Sequence, residues 1–370
     1  MALLPEKIRY KLFDSLSLKT MRYVDAVSSK DASPLVREIY DQIAEDFFIN
    51  GSLTSRSKVP GVLAAIWMLG REAILVGDKI DRTTKEAMAA TVSSINDCPY
   101  CGDMLVSLVH AGDRADDAKQ ILNDEEDRID DPALRQRLQW VRSVATPGKT
   151  PPTSVPFTNE QLPEAISTIM AMNDINRFSH IVMDGSPVNA PFGLQGIKQF
   201  ALGIFGNELR TTHVRPLVPG RSLHLTASAE LPDDMHWASS NPRISRALAQ
   251  WAASVENEAS GVVPAGVQDF VHHNLQQWRF EPMPMSRSWV EQELGELEGE
   301  ARSIAKLALL LAKAAYQVDE KLVTEIMGPD ADQERFIRVL AWCSFTASRY
   351  VGSHIADQVR QAQHGSRIAA

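Results

Sequence analysis

Apolar residues recur along most of this chain at helical spacing rather than in the alternation of a strand. Leu35, Ile39, Ile43 and Phe47 stand four apart and line one face of a helix. Ser33-Pro34 before them offers a capping hydroxyl and a proline at the first helical position, where the missing N–H costs nothing. Gly61 to Val76 is apolar nearly all round, which predicts a helix buried on every side. Further helices are predicted at Thr83 to Ser94, from Cys98-Pro99 to Ala111 with Gly112 as a stop, and at Ala115 to Leu122. Asp131-Pro132 opens another, with Leu134, Leu138 and Val141 on one face. The next runs from Thr158 to Met172, behind a proline-rich turn at Thr146 to Pro152.

The pattern changes between Met183 and Pro242, where Pro187, Pro191, Pro216, Pro219 and Pro232 fall among scattered Gly, Ser and Thr. A helix fits Gly193 to Leu209, and a few extended residues fit Ser222 to Ala229. An irregular stretch this long is usually functional or a linker. Helix resumes at Asn241-Pro242, returns at Val267 to Trp278, and dominates Ser288 to Gln363. Strand signals are nearly absent, so the predicted class is all-α. Trp140, Trp251, Trp278, Trp289 and Trp342 lie in helical patterns and are predicted core.

Two segments resemble each other: Asp131 to Trp140, and Asp332 to Trp342. Each follows a short helix, Ala115 to Leu122 and Glu320 to Met327, and before that an apolar one. A diverged duplication would produce this, and so would any two amphipathic helices. The predicted organisation is an N-terminal extension at 1–20, a helical domain at 21–185, an irregular insert or linker at 186–240, and a second helical domain at 241–370, for which a diverged repeat is one reading.

Composition narrows the function. The chain has 370 residues, enough for two domains with real cores. Lys plus Arg number 38 against 47 Asp plus Glu, a net charge of −9, which disfavours nucleic acid and anionic membranes as partners. Three cysteines argue against a secreted disulfide framework. The opening residues carry no basic region followed by an apolar run, and no window reaches bilayer length uncharged. A soluble, cytoplasmic protein is expected.

The chemistry concentrates at Asn96-Asp97-Cys98-Pro99-Tyr100-Cys101. Two thiols three residues apart at a helix start share a face, within reach of a disulfide. The unpaired N–H groups and positive dipole end there favour a thiolate, which is the nucleophile. Three readings are open: a redox dithiol, a structural zinc site, or inert packed cysteines. Zinc needs about four N or S ligands. The remaining cysteine, Cys343, is distant, and the adjacent His272-His273 cannot aim both rings at one ion from a helix.

Glu86, eleven intervening residues and then Cys98-Pro99-Tyr100-Cys101 resemble the signature of the AhpD-like, carboxymuconolactone decarboxylase superfamily, in its peroxidase-related branch. The resemblance extends weakly to Met21 to Val24, Pro60, Trp67 and Asp174 to Arg177, so it covers about residues 20–185. It implies an AhpD-like helical bundle, a thiol peroxidase or disulfide oxidoreductase, and a homo-oligomer. It also implies that Cys101 attacks the peroxide, that Cys98 resolves, and that Glu86 is the base. A small hydroperoxide or disulfide is the implied substrate and a dithiol the electron donor, with no metal or organic cofactor. Burial is expected to raise the Glu86 pKa toward neutrality.

One position departs from the family. Active members carry a relay histidine four residues after the second cysteine, where this chain has Leu105. His110 falls on the opposite helix face and is expected to be a packing or surface residue. His180 and His354 are candidates to compensate in space, while Tyr100 and Asp103 are merely near in sequence. Arg22 and Arg177 are expected in surface ion pairs. The alternatives are a non-enzymatic redox-responsive or scaffold protein with a decayed relay, or a carboxymuconolactone decarboxylase-like enzyme that does not depend on the cysteines.

Overall fold

The computed structural model describes residues 21–152, 154–186 and 195–368. Helices α1 (Pro34–Asp46), α2 (Gly51–Thr54) and α3 (Pro60–Gly70) lead, and α3 runs on through a π turn at Arg71–Leu75. Next come α4 (Arg82–Ile95), α5 (Pro99–Ala111), α6 (Ala115–Leu122), α7 (Pro132–Ala145) and α8 (Leu162–Val182). After α9 (Gln195–His213), the second half holds α10 (Pro242–Ala259), α11 (Ala265–Gln277), α12 (Ser288–Leu294), α13 (Gly299–Lys313), α14 (Glu320–Met327) and α15 (Gln333–Ile368). Among the described residues β pairing is limited to the isolated bridge between Met21 and Met183. The class is all-α, and no helix of the described residues is long and apolar enough to cross a membrane.

The helices start where side chains satisfy their free N–H groups. Ser33 accepts from Val36 N, Asp81 from Thr84 N, Asp131 from Ala133 N and Leu134 N, and Asn241 from Ile244 N. Asp332 accepts from Arg335 N at the start of α15, as Asp131 does at α7. The order of an apolar helix, an eight-residue helix and an Asp-capped helix thus recurs in α5 to α7 and in α13 to α15.

Two expectations change. The helix expected to end at Met172 continues to Val182, because the polar residues that interrupt its pattern find buried partners. Asp174 takes the Trp251 indole at 3.1 Å and the Ser344 hydroxyl at 2.9 Å, with Arg56 at 3.6 Å. In the stretch after Met183, helix α9 forms as the pattern allowed, but Leu223–Leu225 is a 3-10 turn where extended backbone was expected. The five predicted core tryptophans are all buried.

Helix α8 lies against α15, with the Ser348 hydroxyl donating to the Met170 carbonyl at 2.6 Å. Buried charges join the chain after α9 to the first half. Arg71 pairs with Asp46 at 2.6 Å and Glu72 at 2.7 Å, and Glu72 accepts from Gly220 N and the Ser222 hydroxyl, each at 2.8 Å. Glu164 takes Arg243 at 3.2 Å and Lys85 at 3.3 Å. Such ions offset each other's desolvation only as a set, so losing one partner is costly. Helix α9 lies on α5 at Gly206, where a Cβ would stand 2.6 Å from the Ser107 carbonyl oxygen.

Candidate active site

Cys98 is the N-cap of α5 and Pro99 its first residue, as the sequence predicts. The turn before it is held by Cys98 N donating to Ser93 O at 3.0 Å, and it bends through Asp97 at φ 49°. Asp tolerates this left-handed conformation better than most residues. Cys98 and Cys101 are 5.4 Å apart at Cα and are joined as a disulfide. They are 3% and 4% exposed, so a reactant reaches them only through the protein. Cys101 forms part of the wall of a cavity of about 60 Å³, with Phe47, Phe48, Trp67, Met104, Leu105 and Met172. The wall is overwhelmingly apolar. The Tyr100 hydroxyl, in the same wall, accepts from Gly51 N at 2.9 Å. Leu105 stands one turn beyond Cys101, so the position where the resemblance implies a histidine is apolar wall.

Glu86 is fully buried. It does not line this cavity. Its carboxylate takes the Arg82 guanidinium at 2.8 Å and His213 Nε2 at 2.6 Å. Burial alone would raise its pKa, but the Arg82 charge and the His213 hydrogen bond outweigh it, so the carboxyl is held below its ordinary value. The expected shift toward neutrality is therefore reversed, because a buried carboxylate paired with a guanidinium and hydrogen-bonded to His213 keeps its charge. Arg82 also donates to the Asp46 carbonyl at 3.2 Å, immediately before the cavity residues Phe47 and Phe48. Sequence reasoning missed His213. Its sole signal was a histidine at the end of a helix in the insert, 127 residues from its partner.

A second group of side chains meets the Cys98 turn from α8. Asn96 donates to Asn173 and Asn176, each at 3.1 Å, and Asn176 donates to the Ser93 hydroxyl at 3.1 Å. Arg177 donates to Asn96 at 3.5 Å and through Nε to the Leu311 carbonyl at 2.9 Å in the last turn of α13. It is buried rather than in a surface pair, and burial pushes its pKa down to about 10, still charged at neutral pH. His180 Nδ1 lies 3.2 Å from the Asp97 carbonyl oxygen. Residues 173, 176, 177 and 180 follow the i, i+3, i+4, i+7 spacing of one helix face. That polar stripe on an otherwise buried helix was the legible signal.

The remaining candidates fall elsewhere. Asp103 holds Lys198 at 2.8 Å and the Ser186 hydroxyl, and burial lifts its carboxyl above the ordinary range despite them. His110 packs against Gly203 and Gly206 of α9. His354 lies tilted against Phe280 and stacks on Tyr350 in the second half. Arg22 donates to the His180 and Ile181 carbonyls. Burial raises the Cys343 thiol far above its ordinary pKa, so it stays protonated and unreactive. Among the described residues no three metal-ligating side chains converge.

Residues 60–143 match the model of the carboxymuconolactone decarboxylase family. That segment spans α3 to α7 and contains Glu86, Cys98 and Cys101. The chain is also 28% identical over 340 residues to an alkyl hydroperoxide reductase of Mycobacterium tuberculosis, covering 91% of this chain and 96% of that protein. No solved structure matches it significantly.

Proposed function

Because the chain belongs to the AhpD-like, carboxymuconolactone decarboxylase superfamily, we propose that it is a thiol peroxidase that reduces organic hydroperoxides at Cys101. The observation that carries this reading is the placement of Cys101 in an apolar cavity wall beside a disulfide partner that does not line the cavity. An apolar wall recovers free energy by burying alkyl groups, which hydrogen peroxide lacks. The name of the mycobacterial relative points the same way.

In the reduced protein the Cys101 thiolate attacks the outer oxygen of the hydroperoxide. A sulfur–oxygen bond forms, the oxygen–oxygen bond breaks, and the alkoxide leaves as the alcohol after taking a proton. Cys98 then attacks the sulfenic sulfur, water leaves, and the disulfide forms. An external dithiol returns both electrons. The N-terminus of α5 and the Arg177 charge favour thiolate at this turn. Glu86 is the candidate base. It remains ionised and hydrogen-bonded to His213, and it acts from outside the cavity wall, so its proton path runs through an intermediary. Leu105 removes the histidine the family would use for that purpose.

The test is dithiothreitol-supported consumption of cumene hydroperoxide and of hydrogen peroxide. Wild type is expected to give the higher kcat/KM for the organic substrate. Cys101→Ser is expected to lose at least a hundredfold, and Cys98→Ser, treated with peroxide after dithiothreitol is removed, to stop at a trappable sulfenic acid. Wild-type turnover retained in Cys101→Ser would overturn the reading.

A further inference from the structure

We propose that His180 is the proton acceptor for Cys98 when that thiol closes the disulfide, an assignment that rests on the dithiol reading above. The tautomer of His180 is set by its contact with the main chain. A carbonyl oxygen can only accept, so the contact of His180 Nδ1 with the Asp97 carbonyl requires the hydrogen on Nδ1. In the neutral ring Nε2 then carries the lone pair. No described residue bonds Nε2. The ring is thereby fixed beside the peptide that links Asp97 to Cys98, with its basic nitrogen available.

The neighbours reinforce this placement. His180 belongs to the stripe of α8 that grips the Cys98 turn through Asn173, Asn176 and Arg177. The His180 carbonyl accepts from Arg22, and its own helix is anchored to α13 through Arg177. Arg177 stands one turn earlier on α8, and Arg22, from the segment before α1, reaches the His180 main chain rather than its ring. Glu86, the other candidate for proton work, is occupied by Arg82 and His213 in a separate cluster. The two proton-handling roles are thus divided between two places in the fold.

The step balances without any outside reagent. The Cys98 thiol gives its proton to His180 Nε2 as its sulfur attacks the Cys101 sulfenic sulfur. The sulfur–oxygen bond breaks, and the departing hydroxide takes the proton back from His180 as water. One sulfenic-level sulfur and one thiol sulfur become the two sulfurs of a disulfide, and the oxygen, already reduced when the peroxide bond broke, leaves as water. The same proton must leave Cys98 when Cys101 carries a mixed disulfide, whatever the oxidant was.

Single-turnover kinetics on the full-length protein test this. His180→Ala is expected to form the Cys101 sulfenic acid at the wild-type rate and to close the disulfide at least tenfold more slowly. Added imidazole is expected to restore part of the closure rate, which a purely structural role for His180 would not allow. His180→Gln, which keeps a donor to Asp97 but has no basic nitrogen, is expected to close as slowly as His180→Ala. Closure is measured in parallel from a mixed disulfide formed with hydroxyethyl disulfide. If the protein consumes no peroxide, the parent reading fails while this second assay still reports on His180. Wild-type closure in both variants, or slow closure that imidazole does not improve while His180→Gln restores it, would overturn the assignment.

Discussion

His213 Nε2 lies 2.6 Å from Glu86 Oε2, joining the last residue of α9 to the second turn of α4 across 127 residues of chain. The contact ties the insert to the one carboxylate that the sequence marks for chemistry. Together with the Arg82 guanidinium at 2.8 Å, it explains why that carboxylate keeps its charge although it is buried.

Removing this charge should be visible in acid. The Glu86 pKa lies below the 4.5 of an ordinary glutamate, with burial opposing and Arg82 and His213 prevailing. A depressed carboxyl pKa contributes stability above the unfolded value, and that contribution is lost as pH falls through the folded one. Glu86→Gln should therefore lose less stability than wild type as pH falls below about 4.5. At pH 7 it should be about 3–5 kcal/mol less stable, because the Arg82 charge is left buried without its partner. Urea unfolding from pH 3 to 7 measures both effects, and parallel pH curves for the two proteins would reject the pairing.

The docking of α9 on α5 depends on one glycine more than on its neighbour. A Cβ at Gly206 would meet the Ser107 carbonyl oxygen at 2.6 Å, whereas one at Gly203 would meet the His110 ring at an ordinary 3.6 Å. Gly206→Ala should cost about 1–3 kcal/mol by forcing the helices apart. Gly203→Ala should be neutral or stabilising by up to about 1 kcal/mol, since alanine is the better helix former. Thermal unfolding of the two variants decides the matter. Equal midpoints would show that the helices are not in this close contact.

Leu105 should set how large a substrate fits. It is buried in the same wall as Cys101, and the cavity is only about 60 Å³. Leu105→Ala should destabilise the protein by about 2–5 kcal/mol through the space it leaves. It should also raise kcat/KM for cumene hydroperoxide several-fold relative to tert-butyl hydroperoxide, because the bulkier tail gains room beside the thiol. An unchanged ratio would mean that substrates reach Cys101 by another route.

Local chemistry was written in the sequence. The period of the apolar positions, the caps at Ser33, Asp131 and Asn241, and the proline after Cys98 each act within a few residues. They determined the all-α class, the helix that carries the thiols, and the spacing that lets Cys98 and Cys101 pair. The family signature from Glu86 to Cys101 spans one helical hairpin and was readable for the same reason. What the sequence could not supply is which distant side chains meet that hairpin. His213 reaches Glu86 from the insert, Arg177 is held by carbonyls of α13, and Leu105 is apolar wall because Phe47, Phe48 and Met172 arrive beside it. Those meetings depend on how the helices pack, and a burial-driven pKa changes sign according to which charges packing brings alongside. The cysteine pair was fixed by neighbours along the chain; its surroundings were fixed by neighbours in space.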